Sequence, residues 1–219
     1  MSLSELWSLY GQNYIDALLA TWGMTLESFA IAMVLAVAVT VMRVSPLKPL
    51  RVFGDLYVQV FRNIPGIALL IIVVYALPSL KVVLPYRTCV IVATVLLGSA
   101  FGSENFMSGI NTVGVGQVEA ARSLGMSFSR ILAKIVIPQA LRSSVLPMTN
   151  LFIAVMLTTA LGSQVPLNPQ ELTGVVSYIN TRSLGGVAAF FISALGYLGT
   201  AFVVSHIGNY IDKKVRILR

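Results

Sequence analysis

Charge is scarce in this sequence. Asp, Glu, Lys and Arg make up 11% of its 219 residues, against about a quarter in an ordinary soluble domain. Hydrophobic residues make up 57%, and they gather in separate runs near twenty residues, each long enough to cross a bilayer. A soluble chain of this size would have to bury every run completely, so the composition implies a polytopic membrane protein. Cysteine and histidine occur once each. A lone Cys89 excludes an internal disulfide and a thiolate metal cluster, and in an apolar stretch it reads as a small hydrophobe. His206, alone near a helix end, reads as interfacial rather than as a ligand or base. Met1–Ala20 holds no Lys or Arg, so the positive region of a secretory signal is missing. An amphipathic or interfacial helix is expected there. Leu6, Tyr10, Ile15 and Leu18 fall near one face, and Glu5, Gln12 and Asp16 interrupt it. Also missing are a G-x-x-x-x-G-K-[ST] phosphate loop, paired buried carboxylates suited to proton coupling, and any long hydrophilic domain. Soluble machinery must then reside on other chains.

Five spans are predicted, at Met24–Met42, Ile64–Leu80, Thr88–Phe106, Leu146–Leu161 and Gly186–Ile207. Pro65 suits the first turn of the second span and Pro78 marks its other end. Pro138 and Pro147 are expected as boundaries or kinks before the fourth. An odd number of spans puts the termini on opposite sides, and the Lys/Arg bias chooses which. With the N-terminus outside, the inner loops hold Arg43, Lys48, Arg51, Arg62, Arg122, Arg130, Lys134 and Arg142, and the tail adds Lys213, Lys214, Arg216 and Arg219. Twelve of the fifteen basic residues are then inside, and only Lys81, Arg87 and Arg182 face outward. The expectation is N-terminus out, C-terminus in. The net charge of +7 serves topology and anionic lipid and calls for no nucleic acid.

The sizeable inner segment, 107–145, contains Gln117–Pro138, QVEAARSLGMSFSRILAKIVIP. Val118, Ala121 and Leu124 can form one apolar face of a short helix. Gly125 can end it at positive φ, and Ser127 can cap a second helix from Phe128 in which Ile131 and Ile135 share a face. Glu119-Ala120-Ala121, three residues, Gly125, nine residues, then Ile135-Val136-Ile137-Pro138 resembles the EAA loop of permease subunits of ATP-binding cassette (ABC) importers, with Ile137 in place of the usual Leu. The resemblance implies an all-α membrane protein of the type I ABC importer permease fold, residues 1–219 forming one transmembrane domain. It implies that the loop docks on an ABC ATPase dimer, with Glu119 orienting it, Ala120 and Ala121 in contact, and Gly125 at the turn.

The resemblance runs over most of the chain and is to permeases for polar amino acids of the histidine, glutamine and glutamate type. Tyr57–Pro78, Ser108–Gly125 and Ile137–Asn150 follow that pattern, and Met42–Arg51, MRVSPLKPLR, is similar to actinobacterial glutamate-uptake permeases. Departures also occur. Asn63-Ile64 stands for Gly-Thr before Pro65, Leu69 for a common Gln, Met107 for a common Arg, and Met156–Ala160 for K-D-T-S-L. Together these losses remove polar groups from the translocation region, which a different, paired permease subunit would supply; a heterodimer is expected over a homodimer. The family implies an extracellular solute-binding protein as a further partner, and an amino acid as substrate. No cofactor or metal is expected on this chain, and ATP with Mg²⁺ is expected on the ATPase. The alternative is an ion-gradient-driven secondary transporter, which usually shows paired internal repeats; none is evident here. A scaffold without transport is the third class.

Ionisable groups inside spans are costly and usually face a cavity or a partner. Glu104, near the inner end of the third span, and Arg62 read either as part of the pathway or as a structural pair at the membrane–water boundary. Glu27 reads as interfacial. Asn150, Thr158 and Thr159 on the fourth span read either as a polar route or as helix–helix hydrogen bonding. Gly196, Gly199 and Gly208 are expected to be close-packing positions.

Overall fold

Ser2 opens a helix that runs far past the length a bilayer needs. Its hydroxyl accepts from the backbone N–H of Glu5 at 3.2 Å, and the Glu5 carboxylate accepts from the backbone N–H of Ser2 at 2.9 Å. This reciprocal box satisfies two of the donors a helix start leaves orphaned. Helix α1, Leu3–Val44, has 42 residues, about 63 Å at 1.5 Å per residue. The computed structural model describes residues 2–183 and 186–215; Arg216 and Arg219 of the basic tail lie outside the described residues.

The continuity of α1 corrects the expectation of a separate interfacial helix. Leu6, Tyr14 and Ala17 are at most 3% exposed. They pack on Leu172, Val175, Ile179 and Ala189, and the Tyr14 hydroxyl donates to the Ala189 carbonyl at 2.9 Å. The apolar face therefore belongs to a cap formed with helix α9 (Gly174–Asn180) and the start of α10 (Gly186–Val215).

Residues 48–63, read in sequence as inner loop, form helix α2, Lys48–Asn63, with Pro49 in its first turn. It turns by 103° across Ile64-Pro65 into α3, Gly66–Ile71. A widened turn, Ile72–Ala76, and a tight one, Leu77–Leu80, complete this broken pair. Pro78 lies in the last turn before the chain leaves the helix at Lys81, as expected, whereas Pro138 sits inside a helical stretch. Each lacks an N–H and crowds the carbonyl four residues back. Those carbonyls, on Val74 and Lys134, lie in the widened turns Ile72–Ala76 and Leu132–Val136, which accommodate the prolines without stopping the helix.

Helix α4, Tyr86–Asn111, is the centre of the bundle. Of its most apolar window 61% is buried, against 11% for α10, so α4 is surrounded by protein and α10 is peripheral. Gly98 and Gly102 let α1 and α8 (Val145–Thr158) approach it. A Cβ on Gly98 would meet Val155 and Ala32, and one on Gly102 would stand 2.8 Å from the Ala36 Cβ. Small residues four apart are how membrane helices without a hydrophobic driving force pack closely. Helix α8 ends in a tight segment, Thr159–Gln164. Gly208 packs on Thr149 and Gly196 on Leu172, but Gly199 faces open space, which corrects its expected role.

Two ion pairs fix α1 beside α4. Glu27 and Arg87 pair in bidentate fashion at 2.6 and 2.8 Å, and Arg43 meets Glu104 at 2.9 Å. The pairs are separated by sixteen residues on α1 and seventeen on α4, about 25 Å of helix. They bracket an apolar slab close to the thickness of a hydrocarbon core, about 30 Å. By length and composition α1, α4, α8 with its tail, and α10 can each cross a membrane, and the bent α2–α3 pair makes a fifth candidate.

Candidate translocation and coupling sites

Helix α5, Val115–Ser123, ends at Leu124 and Gly125. Gly125 has φ +74°. Its N–H donates to the Arg122 carbonyl at 2.9 Å, and that of Met126 donates to the Ala121 carbonyl at 3.1 Å. These two bonds are a Schellman motif, and its usual apolar contact joins Met126 to Ala121. Only a residue without Cβ adopts this φ cheaply, so the turn expected at Gly125 is built from its hydrogen bonds up. The next helix, α6, is Phe128–Ile131, and α7, Ile137–Ser143, follows the widened turn. Ser127 holds the cap position, but its hydroxyl pairs with that of Ser129 rather than with the backbone.

The expected apolar face of α5 divides. Val118 and Ala121 pack with Val113, Ile131 and Val136, whereas Leu124 points outward at 82% exposure. Ala121, expected in contact with a partner, is 3% exposed and turned into the chain's own core; Ala120 is exposed. Glu119 is exposed and makes no ion pair among the described residues. The loop is tied to the spans by the Gln139 amide, which donates to Gln117 at 2.7 Å. Ser144 continues the link, its hydroxyl bonding at 3.4 Å to the Asn105 carbonyl of α4.

The structure brings Arg62 and Glu104 together at 3.4 Å and adds Arg43, expected only as an inner-loop charge, and Asp55, for which the sequence gives no sign. Arg43 is the hub. Its side chain is 11% exposed and donates to Asp55 at 2.9 Å, to Glu104 at 2.9 Å and to the Ser103 hydroxyl at 3.2 Å. Arg62, more exposed at 39%, also lies over the Phe101 ring. Two cations and two anions thus join α1, α2 and α4 at the end that carries the coupling loop.

The break at Ile64-Pro65 adjoins the tail of α8: Gly66 lies against Leu97 and Leu161. Irregular backbone at membrane depth is tolerated where it is covered by protein or lines a cavity, so this junction is the candidate pathway. Gln59, Arg62 and Asn63 are exposed on α2, and Asn150, Ala154 and Leu157 on α8. Thr158 is half-buried, its hydroxyl donating to the Ala154 carbonyl at 2.8 Å. Thr159 is fully buried and donates to the Met156 carbonyl, so its side chain is turned away from that face. No hydrogen bond or ion pair among the described residues joins the Arg62–Glu104 group to Asn150 or Thr158.

Residues 28–217 match the family model for the binding-protein-dependent transport system inner membrane component. The chain belongs to this family. The glutamate transport system permease protein GluC of Corynebacterium efficiens is 33% identical over 208 residues, covering 90% of this chain and 91% of GluC. The L-cystine transport system permease protein TcyB of Bacillus subtilis is 31% identical, covering 95% and 91%. A crystal structure of an amino acid ABC transporter with histidines superposes at a TM-score of 0.92 with 24% identity, over 98% of this chain and 99% of that one; it shares the fold. The protein is a multi-pass permease subunit of the bacterial plasma membrane with the ABC importer permease fold, and ATP hydrolysis falls to a separate chain.

One buried acid of this permease escaped the sequence reading. Glu171 is fully buried between α8 and α9. Its carboxylate accepts from the N–H of Thr173 at 2.6 Å, the N–H of Gly174 at 2.6 Å and the Tyr197 hydroxyl at 2.9 Å. Burial pushes its carboxyl above the ordinary range, opposed by these donors. The next residue's N–H, that of Leu172, donates to the Thr21 hydroxyl at 3.1 Å. The acid thus ties the connection after α8 to α10, while its neighbour ties it to α1.

Proposed function

We propose that this permease imports a polar amino acid, glutamate or a close relative, as one half of a pathway whose other half is a different permease subunit. One observation supports the coupling role above all. A rigid helix–Gly125–helix loop keeps Leu124 and Ala120 exposed outside the spans, while its other face packs into the chain. In this reading the N-terminus is outside and the loop is cytoplasmic, where it docks on an ATPase dimer. A solute-binding protein delivers the amino acid outside. ATP, with Mg²⁺, closes the ATPase subunits, and α5 passes that motion through Gln117–Gln139 and α7 to α8 and α4. ATP then acts by favouring one of two arrangements of the bundle.

The pathway runs along the α2–α3 break, with Asn150 and Thr158 across from it and the Arg62–Glu104 pair at its inner end. Thr159, a candidate by sequence, supports α8 from its buried side. The substrate class rests on the relatives that transport glutamate and cystine. The need for a partner rests on Leu69 and on Met156–Ala160, which offers only hydroxyls and no charge, leaving few polar groups for a charged amino acid.

Uptake of labelled glutamate into proteoliposomes carrying this chain, the second permease, the ATPase and the binding protein is the test, with other amino acids as competitors. ATP-dependent uptake competed best by acidic amino acids or their amides is expected. Equal uptake without the second permease overturns the heterodimer. Uptake driven by an ion gradient in the absence of ATP overturns the importer.

A further inference from the structure

The cap carries a cleft that transport and coupling leave unused. Asn13 and Asp16, one helical turn apart on α1, form one wall, and Asn168, Gln170 and Tyr178 form the other. The cavity measures about 340 Å³, at the lower end of the range for small-ligand sites. Val175, 2% exposed, lies beneath and belongs to the cluster that joins α1 to α9. The α1 and Tyr178 sides of the cleft are thus set by packed helices, while Asn168 and Gln170 lie on the connection after α8.

Its chemistry has one sign. Among the described residues Asp16 is the only charged one that lines it, beside three amides and a phenol. The Asp16 Oδ1 accepts from the Gln12 amide at 2.9 Å, which leaves Oδ2 without a donor among the described residues. The Arg182 guanidinium lies over the ring of Tyr178, one of the lining residues, at 3.7 Å. An incoming cation would meet one carboxylate and the carbonyl oxygen of a side-chain amide on the α1 side, with the Arg182 charge held behind the Tyr178 ring on the other.

We propose that this cleft receives an ammonium or guanidinium side chain of the soluble binding protein that delivers substrate. The assignment rests on the orientation and delivery reading above. Transport in this family is binding-protein-dependent, so a protein must seat on the outer face, and the cap is the part of α1 that projects beyond the Glu27–Arg87 pair. The seat is also connected to the interior: a single helix runs from Asp16 to the Arg43 hub.

The test is ATPase activity of the reconstituted complex against the concentration of its binding protein. Asp16→Asn, at an exposed position that tolerates the change, raises the half-saturating concentration about three- to tenfold at low ionic strength and leaves the rate without binding protein unaltered. The difference shrinks at about 0.5 M salt, where the charge is screened. Asp16→Lys gives a larger shift in the same direction. Superimposable curves for wild type and Asp16→Asn overturn the assignment. So does a shift that free amino acid relieves at fixed binding protein, because the cleft then holds the substrate itself. A wild-type rate indifferent to binding protein overturns the delivery reading and the cleft with it, whereas equal responses of wild type and variant overturn the cleft alone.

Discussion

The cap and the coupling loop are both short helices joined to long ones, but they treat their apolar side chains differently. In the cap, Leu6, Tyr14, Leu172, Val175 and Ile179 are at most 3% exposed and consume one another. In the loop, Val115, Leu124 and Phe128 are 70%, 82% and 54% exposed. Exposure on α10 and on α1 after Glu27 is explained by lipid, because those stretches are long and apolar enough to span; in the projecting start of α1, Leu3, Trp7 and Leu9 are also exposed. The loop lies between spans, so lipid does not account for it. Exposed apolar residues standing singly are ordinary, but several gathered on one loop are the mark of an interaction surface. The apolar core of the cap closes within one chain, whereas the loop, in the proposed reading, is completed by the ATPase.

The sharpest way to break that contrast is at the turn. Gly125→Val puts a β-branched residue at φ +74°, a conformation that costs such residues of order 1–3 kcal/mol. The Schellman bonds of Arg122 and Ala121 are expected to give way and the direction of Leu124 to be lost. Nearly complete loss of ATP-driven uptake is expected, with membrane insertion and yield preserved. Uptake close to wild type would remove the coupling role from this loop.

At the cap the same logic predicts a stability effect. Leu6 is fully buried, and Leu6→Ala deletes its packing for a cost of about 2–5 kcal/mol. A lower melting temperature of the purified complex is expected, with the ATPase still bound to the fraction that remains folded. An unchanged melting temperature would mean that the first turns of α1 do not pack as described.

These two regions were unequally legible in the sequence. Gly125, between Glu119-Ala120-Ala121 and Ile137-Pro138, announces its turn because the residues that make the motif are neighbours in the chain. The fate of Leu6 depends on Leu172, Val175 and Ala189, more than 160 residues away, and the periodicity of a helix face does not distinguish protein from lipid as its cover. The residues of α2 are mixed in polarity and so resemble a loop; its 103° turn becomes evident only where Gly66 meets Leu97 and Leu161. Glu171 looks like a surface acid until Tyr197, 26 residues on, is found bonded to it. Arg62 and Glu104 were chosen as a pair, but Arg43 and Asp55 were not, because an ion-pair hub has no spacing rule when its members stand on three helices.

Leu124→Ala sharpens the comparison by removing an apolar side chain that supports nothing within its own chain. Its melting temperature is expected to match wild type within the effect of an ordinary surface change, about 0.5 kcal/mol. Retention of the ATPase is expected to weaken about tenfold, equivalent to about 1.4 kcal/mol, seen as loss of the ATPase from the purified permease on dilution. A fall in melting temperature like that of Leu6→Ala would mean that Leu124 packs inside the chain, and the distinction between the two regions would go.

The smallest effect is expected where neither description applies, at the charge hub. Arg43 is pinned by Asp55, Ser103 and Glu104, whereas Arg62 touches the same Glu104 carboxylate at a longer 3.4 Å and is 39% exposed. An exposed pair of this kind contributes about 0.2–1 kcal/mol and is screened by salt. Arg62→Gln should therefore change melting by little, since Arg43 still compensates Glu104. If Arg62 lies on the pathway, uptake of a charged amino acid falls several-fold while ATPase stimulation by the binding protein persists. If it serves only as a boundary pair, uptake and stimulation both stay near wild type. Equal loss of both would instead tie Arg62 to the motion that α5 delivers to α4, and would move the inner charge group from the pathway to the coupling machinery.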